Sequence, residues 1–278
     1  MSAPPAPLRA VLLDLGYTLV RWEVADDVRL ASCGALLDRL AAAQPGRPPP
    51  ADLVLRLEQH VLGAARVAYA QDHYAEVDNH ALFAAALAEH GYTVPLAAVG
   101  ELVELEHAAF ARHLQVAPAT LATLAALRAR GLRLGLVSNA LTPGPLMRRT
   151  LAALGLADYF DAVVFSSEIG VRKPAPRIYQ AVLAALGVAP AEAAFVGDRV
   201  REDVEGPRAL GMRAILSHEY RQEAPGAVAP HAVIAAFADL PARLARALQP
   251  REPGQQGAPC RPGCRASNLS RRDARRTT

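Results

Sequence analysis

The chain has 278 residues, of which 52% are hydrophobic and only 5% aromatic, with a net charge of +3. That suffices for one large domain or two modest ones, and the positive balance does not describe a basic nucleic-acid face: from Arg251 onward seven arginines meet only Glu252 and Asp273. The start carries no secretory apolar core, no apolar run nears the ~18 residues of a membrane span, and Cys33, Cys260 and Cys264 give no disulfide framework, so a cytoplasmic chain is expected.

Residues 9–15, RAVLLDL, form a brief apolar run between Pro7 and Gly16 and read as a buried strand. Residues 20–115 then give four amphipathic helical patterns, near 25–43, 51–70, 78–91 and 96–114. They are separated by AQPGRPPPA, by a polar stretch at 71–77 and by GYTVP. Their Leu and Ala stripes read first as core between helices and second as a homodimer face. The five histidines of this region, His60, His73, His80, His90 and His107, form no i, i+4 pair and read as solvated or packed residues. Further apolar runs at 132–138, 162–166, 193–197 and 213–217 alternate with helical patterns at 118–130, 144–155, 176–187 and 203–211. Such alternation predicts an α/β fold, with a parallel sheet covered on both faces. The expected organisation is a Rossmann-like core from 1–19 and 116–249, an all-helical domain at 20–115, and a disordered basic tail at 250–278. In that tail CRPGC lacks two further zinc ligands, and RRDARR reads as a solvated end rather than a nucleic-acid contact.

Lys173, in EIGVRKPAP, is the sole lysine among 30 long cationic side chains. A position that needs a compact ammonium cannot use the broad guanidinium fork. Ligands of open parallel sheets bind outside the carboxyl ends of the strands. At those ends the sequence places Asp14, then Ser138 with Asn139, then the loop bearing Lys173, then Asp198 with Glu202 and Asp203 behind it. Asp14 is suited to attack phosphorus as a carboxylate nucleophile, and Asp198 to hold Mg²⁺. Ser138 and Asn139 are suited to bind phosphoryl oxygens, and Lys173 to balance the charge.

These residues lie in LLDLGYTL, LGLVSNA, EIGVRKPAPRIY and FVGDRVREDVEGPRALGM, and over 9–217 the chain resembles the haloacid dehalogenase-like hydrolases, in particular their phosphatases. The resemblance implies a helical cap domain between the first two motifs, Asp14 as nucleophile, Ser138 as phosphate-binding hydroxyl and Lys173 as stabilising cation. It also implies a Mg²⁺ site from Asp14, the Gly16 carbonyl and Asp198, with Asp203 orienting a metal-bound water. The implied activity is hydrolysis of a small phosphorylated metabolite through an aspartyl-phosphate. The departure is Gly16, where typical family phosphatases carry a second Asp as proton donor. Three explanations stand: an activated leaving group, a donor from the helical insert (Glu23, Asp26, His73 or Glu76), or a slow protein that binds phosphate ligands as a sensor. A 2-haloacid dehalogenase is the other branch, disfavoured by Gly197-Asp198 with Asp203. Arg21 and Trp22, at the hinge, read equally as substrate contacts or as packing.

Overall fold

The computed structural model describes residues 6–71, 74–224 and 226–247. His73 and the tail from 250 onward, with Cys260, Cys264 and the terminal arginines, lie outside these residues. The chain begins with strands β1 (Ala10–Leu13) and β2 (Val20–Arg21). Helices α1 (Asp26–Ser32), α2 (Gly34–Ala43), α3 (Leu53–Gln71), α4 (Asn79–Glu89) and α5 (Leu96–Ala111) follow. The chain then continues through β3 (Gln115–Val116), α6 (Pro118–Ala129), β4 (Arg133–Ser138), α7 (Gly144–Ala153), β5 (Ala162–Phe165), α8 (Ser166–Ile169) and α9 (Pro176–Leu186). Last come β6 (Ala193–Gly197), a π-helical turn (Val200–Glu205), α10 (Gly206–Ala209), β7 (Arg213–Ser217), β8 (Ala232–Ile234) and α11 (Leu240–Ala247).

Six strands form one sheet in the order β5-β4-β1-β6-β7-β8, every neighbour parallel. Side chains of a strand alternate between faces, and β1 shows it. Val11 and Leu13 join Leu134, Leu136, Ala194 and Val196 on one face, against Leu124 and Leu127 of α6 and Leu240 and Leu244 of α11. Ala10 and Leu12 join Val137, Ala193 and Phe195 on the other, against Ile178, Val182 and Leu186 of α9. Each fully buried Leu or Ile contributes roughly 1.5–3 kcal/mol, so the two faces hold β1 firmly at the centre. Helix α9 carries Pro176 in its first turn and closes on Gly187 at φ 60°, the left-handed conformation that glycine adopts without cost.

The helical insert has a core of its own, built from Leu36, Leu40, Leu53, Leu57, Phe83, Leu87, Leu102 and Val103. It is joined to the sheet by the β2–β3 ribbon, in which Val20 pairs with Val116 and Arg21 with Gln115. Arg21 Nε also donates to Gln115 Oε1 at 3.2 Å, so this residue ties the ribbon. Away from the ribbon the insert touches the sheet layer through Arg149 to Glu104, through Ser166 to Glu76, and through a backbone bridge between Ala75 and Val171.

Most predicted elements form within two or three residues of their expected ends. The pattern at 25–43 is two helices, because Cys33 leaves helical geometry (φ −98°, ψ 12°) just before Gly34, a residue that carries a helix onward poorly. The pattern at 203–211 opens as the π turn. Strands β2, β3 and β8 and helices α8 and α11 were not expected, and residues 20, 21 and 115 of the span expected to be all-helical are strand; these strands are two or three residues long and α8 four, too short for periodicity to register. Among the described residues no helix is long and apolar enough to cross a membrane.

Candidate active site

Register brings the strand ends to one level. Leu13 lies opposite Leu136 on one side and Val196 on the other, and the Asp14 amide donates to Val196 O at 3.0 Å. Asp14, Ser138 and Asp198 therefore emerge on the same rim, from three adjacent strands. All three are nearly inaccessible, and all three line a cavity of about 470 Å³. Lys173 arrives from the next loop, after β5 and α8. Its ammonium donates to Asp14 Oδ1 at 2.7 Å and to Asp203 Oδ1 at 2.6 Å. The lone lysine is thus 3% exposed and clasped by two carboxylates, a site with room for a point charge.

Asp203 reaches this spot because of its local backbone. It sits in the π turn, a geometry that often re-aims side chains at functional sites. The Arg199 amide donates to its Oδ2 at 2.9 Å. A Cβ at residue 197 would fall inside the Asp203 carboxyl, so Gly197 is required by close approach. On the other side of the cavity Tyr17 stands at φ 57°, a left-handed backbone that non-glycine residues rarely take. This sharp turn follows Asp14 and swings the chain back toward β2. Thr18 Oγ1 donates to Asp198 Oδ1 at 3.4 Å.

The electrostatics follow from burial. Desolvation alone would lower the Lys173 pKa, but Asp14 and Asp203 more than offset it and hold the ammonium above its ordinary range. Burial pushes the Asp198 carboxyl up, Asp14 adds to the rise, and Arg221 opposes it. Burial likewise pushes Asp203 up, with Lys173 opposing. Between Lys173 and Asp203 the geometry decides for the ion pair, since the ammonium meets both carboxylates at hydrogen-bond distance. Carboxylate oxygens of Asp14, Asp198 and Asp203 all lie within 4.8 Å of one another. Asp198 Oδ2 is buried without a hydrogen bond, although Arg221 Nη1 stands 2.9 Å away as an ion pair. Three crowded, hard oxygen donors with an unsatisfied lone pair fit a divalent cation such as Mg²⁺.

Other predicted residues sit as follows. Ser138 and Gly16 line the cavity. Asn139 lines it too, and its side chain grips the Lys173 backbone: its Nδ2 donates to Lys173 O at 3.1 Å and its Oδ1 accepts from Lys173 N at 2.7 Å. Both ends of the amide are used to brace the backbone that carries the ammonium. Two insert residues considered as proton donors are engaged elsewhere. Asp26 pairs with Arg29 on an exposed face. Glu76 accepts from Tyr69 Oη, Ser166 Oγ and the Val77 amide, beside a smaller cavity of about 180 Å³. His107 proves to be a packed histidine, its Nε2 2.8 Å from Thr150 Oγ1. Trp22 lines the main cavity, so of the two hinge residues it is the one facing the site. Phe110, Arg172 and Arg221 also line it and were not singled out from sequence. Arg172 adjoins Lys173 and could have been marked by that neighbourhood. Arg221 lies in an irregular loop with no pattern to reveal it.

A family model described as a haloacid dehalogenase-like hydrolase matches residues 8–211. Phosphoserine phosphatase of Thermus thermophilus is 44% identical over 111 residues, 40% of this chain and 44% of that protein. Phosphoglycolate phosphatase of Yersinia pseudotuberculosis is 39% identical over 128 residues, 45% of this chain and 54% of that protein. The chain thus spans about half the length of the curated relatives it matches. Two solved structures align over nearly their full length. A HAD phosphatase from Thermococcus onnurineus has a TM-score of 0.58 and 25% identity, covering 85% of this chain and 98% of that one. A 2-haloacid dehalogenase from Pseudomonas syringae pv. Tomato DC3000 has a TM-score of 0.61 and 26% identity, covering 86% and 99%.

Proposed function

The chain belongs to the haloacid dehalogenase-like hydrolase family, and on that footing we propose that it is a phosphomonoester hydrolase acting on a small phosphorylated molecule. The observation that carries this reading is the single buried cluster of Asp14, Lys173, Asp198 and Asp203 at the carboxyl ends of the central strands. In this reading Asp14 attacks phosphorus through the oxygen not held by Lys173, and the ester oxygen leaves with its electron pair. Water then attacks the phosphorus of the aspartyl-phosphate and returns Asp14 as a carboxylate. Lys173 holds Asp14 ionised and oriented, which is most of what phosphoryl transfer asks of a protein. Ser138 donates to a phosphoryl oxygen. Asn139 acts one step back, through the Lys173 backbone. Asp14 and Asp198, with the Gly16 carbonyl, would hold Mg²⁺, with Asp203 behind them, and the ion would supply neutralisation of charge on the phosphoryl group when bound. Residues 20–115 act as a cap domain over the core of 1–19 and 116–249, closing on substrate about the β2–β3 ribbon.

The test is release of phosphate from p-nitrophenyl phosphate with Mg²⁺, wild type against Asp14→Asn. The expected loss is at least about 10³-fold, as for other removed nucleophiles. Equal rates would overturn the assignment. Binding of inorganic phosphate without Asp14-dependent turnover on any ester would make the protein a sensor. Chloride release from 2-chloropropionate without metal would place it with the dehalogenases, toward which its structural similarity also runs.

A further inference from the structure

Two residues beyond Asp14, an aromatic ring stands where a side chain on Gly16 would extend. A Cβ built on Gly16 would lie 3.1 Å from Trp22 Cη2, so the indole occupies the space into which a side chain at position 16 would extend. Trp22 is part of a continuous aromatic wall. Its ring centroid is 4.4 Å from that of Tyr17 and 5.4 Å from that of Phe110, the latter edge-on. Leu62, Leu114 and Met147 also line the cavity.

Polar groups on this side are already engaged. Tyr17 Oη donates to Trp22 O at 3.4 Å. His107 is bound to Thr150, and burial, with Arg149 nearby, lowers its pKa. The Arg172 guanidinium lies 3.4 Å over the Tyr69 ring, and arginine does not give up a proton in proteins. Among the described lining residues the acid outside the Asp14, Asp198 and Asp203 cluster is Glu202, in the π turn beside Asp203 and not on the aromatic wall.

We propose that the ester cleaved here is an aryl phosphate, whose phenolic oxygen departs as an anion while its ring rests against Trp22, Tyr17 and Phe110. This rests on the hydrolase reading above and narrows its substrate. The bond from phosphorus to the aryl oxygen breaks as the Asp14 oxygen bonds to phosphorus. The aryloxide keeps the electron pair and takes its proton from solvent water after leaving. A phenolic oxygen tolerates this because its pKa is near ~10, against ~16 for water and similarly weak acids such as alkanols. An alkyl ester needs a proton delivered during cleavage, help worth about 10²–10⁴-fold, and among the described residues of this wall no free group stands to deliver it. The same lack slows the second half-reaction. Water attacks the aspartyl-phosphate, the phosphorus–Asp14 bond breaks toward the carboxylate, and the protons of water pass to phosphate and solvent without a positioned base.

The experiment compares ring-substituted phenyl phosphates with alkyl phosphates on the Mg²⁺-loaded protein, wild type and Trp22→Leu. The expected result is a kcat/KM that falls steeply with leaving-group pKa and is about 10²–10⁴-fold lower for alkyl esters. Within the aryl series kcat stays level, with a burst of phenol matching the enzyme present. Trp22→Leu is expected to raise KM for aryl phosphates about tenfold while shifting inhibition by inorganic phosphate much less. Equal kcat/KM for aryl and alkyl esters would overturn this proposal and leave the hydrolase reading standing. A flat aryl series that turns steep in Glu202→Gln would overturn it too, by identifying Glu202 as the acid. No Asp14-dependent phosphate from either class would overturn both readings.

Discussion

The two sides of the cavity are built differently: the strand-end rim is polar, buried and multiply bonded, whereas the wall from the hinge and insert is apolar and held by packing. On the rim Lys173 makes two ion pairs and its backbone two more bonds to Asn139. Across the cavity Trp22 and Phe110 touch by ring edges, and helix α1 of the insert buries no side chain fully. Atoms that must meet a transition state need over-determined positions. Atoms that choose a substrate need shape, and can move with the insert. Changes on the rim should therefore cost both turnover and stability, and changes in the insert should cost one or the other.

The largest effect is expected at Lys173. Lys173→Met leaves Asp14 and Asp203 buried without their cation, which should abolish measurable turnover and cost about 3–5 kcal/mol in denaturant unfolding. Lys173→Arg keeps the charge but replaces a point with a fork in a space closed by two carboxylates and the Phe195 ring, 5.1 Å away. It should still lower kcat about 10²-fold, and unchanged kinetics would mean that the lone lysine is an accident of composition. Next comes Asn139→Ala, which removes both braces. It should cost about 1–3 kcal/mol and lower kcat about tenfold with little change in KM; a rise in KM alone would make Asn139 a phosphate ligand after all.

In the insert, Glu106 offers a contrasting test. Burial, with Glu58 adding and Arg29 opposing, pushes its carboxyl up to about 7 from an ordinary 4.5. The folded protein then binds more protons than the unfolded chain between those values. This group's stabilising share is full below about 4.5 and is lost as pH rises through about 7. Glu106→Gln should therefore gain roughly 1–3 kcal/mol over wild type at pH ~8.5 and nothing at pH ~4, with kcat unchanged. A gain independent of pH would contradict the assignment. The smallest effect is expected at the exposed Arg39–Glu101 pair, where Arg39→Ala should cost no more than about 1 kcal/mol and leave turnover alone.

The rim was legible in the sequence for the same reason that it is rigid. Short apolar strands end abruptly in polar residues, and parallel topology brings those ends together, so Asp14, Ser138, Lys173 and Asp198 could be assigned to one place before any coordinates. Gly197, just before Asp198, and Asp203, five residues after it, follow from that same strand end. The wall was far less legible. The periodicity of residues 20–115 identified helices, but it is satisfied equally by Phe110 facing the cavity and Phe83 facing the insert core. Only the third dimension separates them. Asn139 shows a finer limit: its place beside Ser138 suggested phosphate, but no pattern reveals that its amide also holds the Lys173 backbone. Arg221 reaches Asp198 from an irregular loop, where no strand end or helical period constrains position.

The central claim is that Asp14 takes the phosphoryl group. The most direct measurement is mass spectrometry of the Mg²⁺-loaded protein, acid-quenched within its first turnover of p-nitrophenyl phosphate and digested. The account predicts a phosphoryl adduct on the peptide bearing Asp14, absent from Asp14→Asn. Phosphate released in that turnover with Asp14 unmodified, or an adduct on another residue, would contradict it.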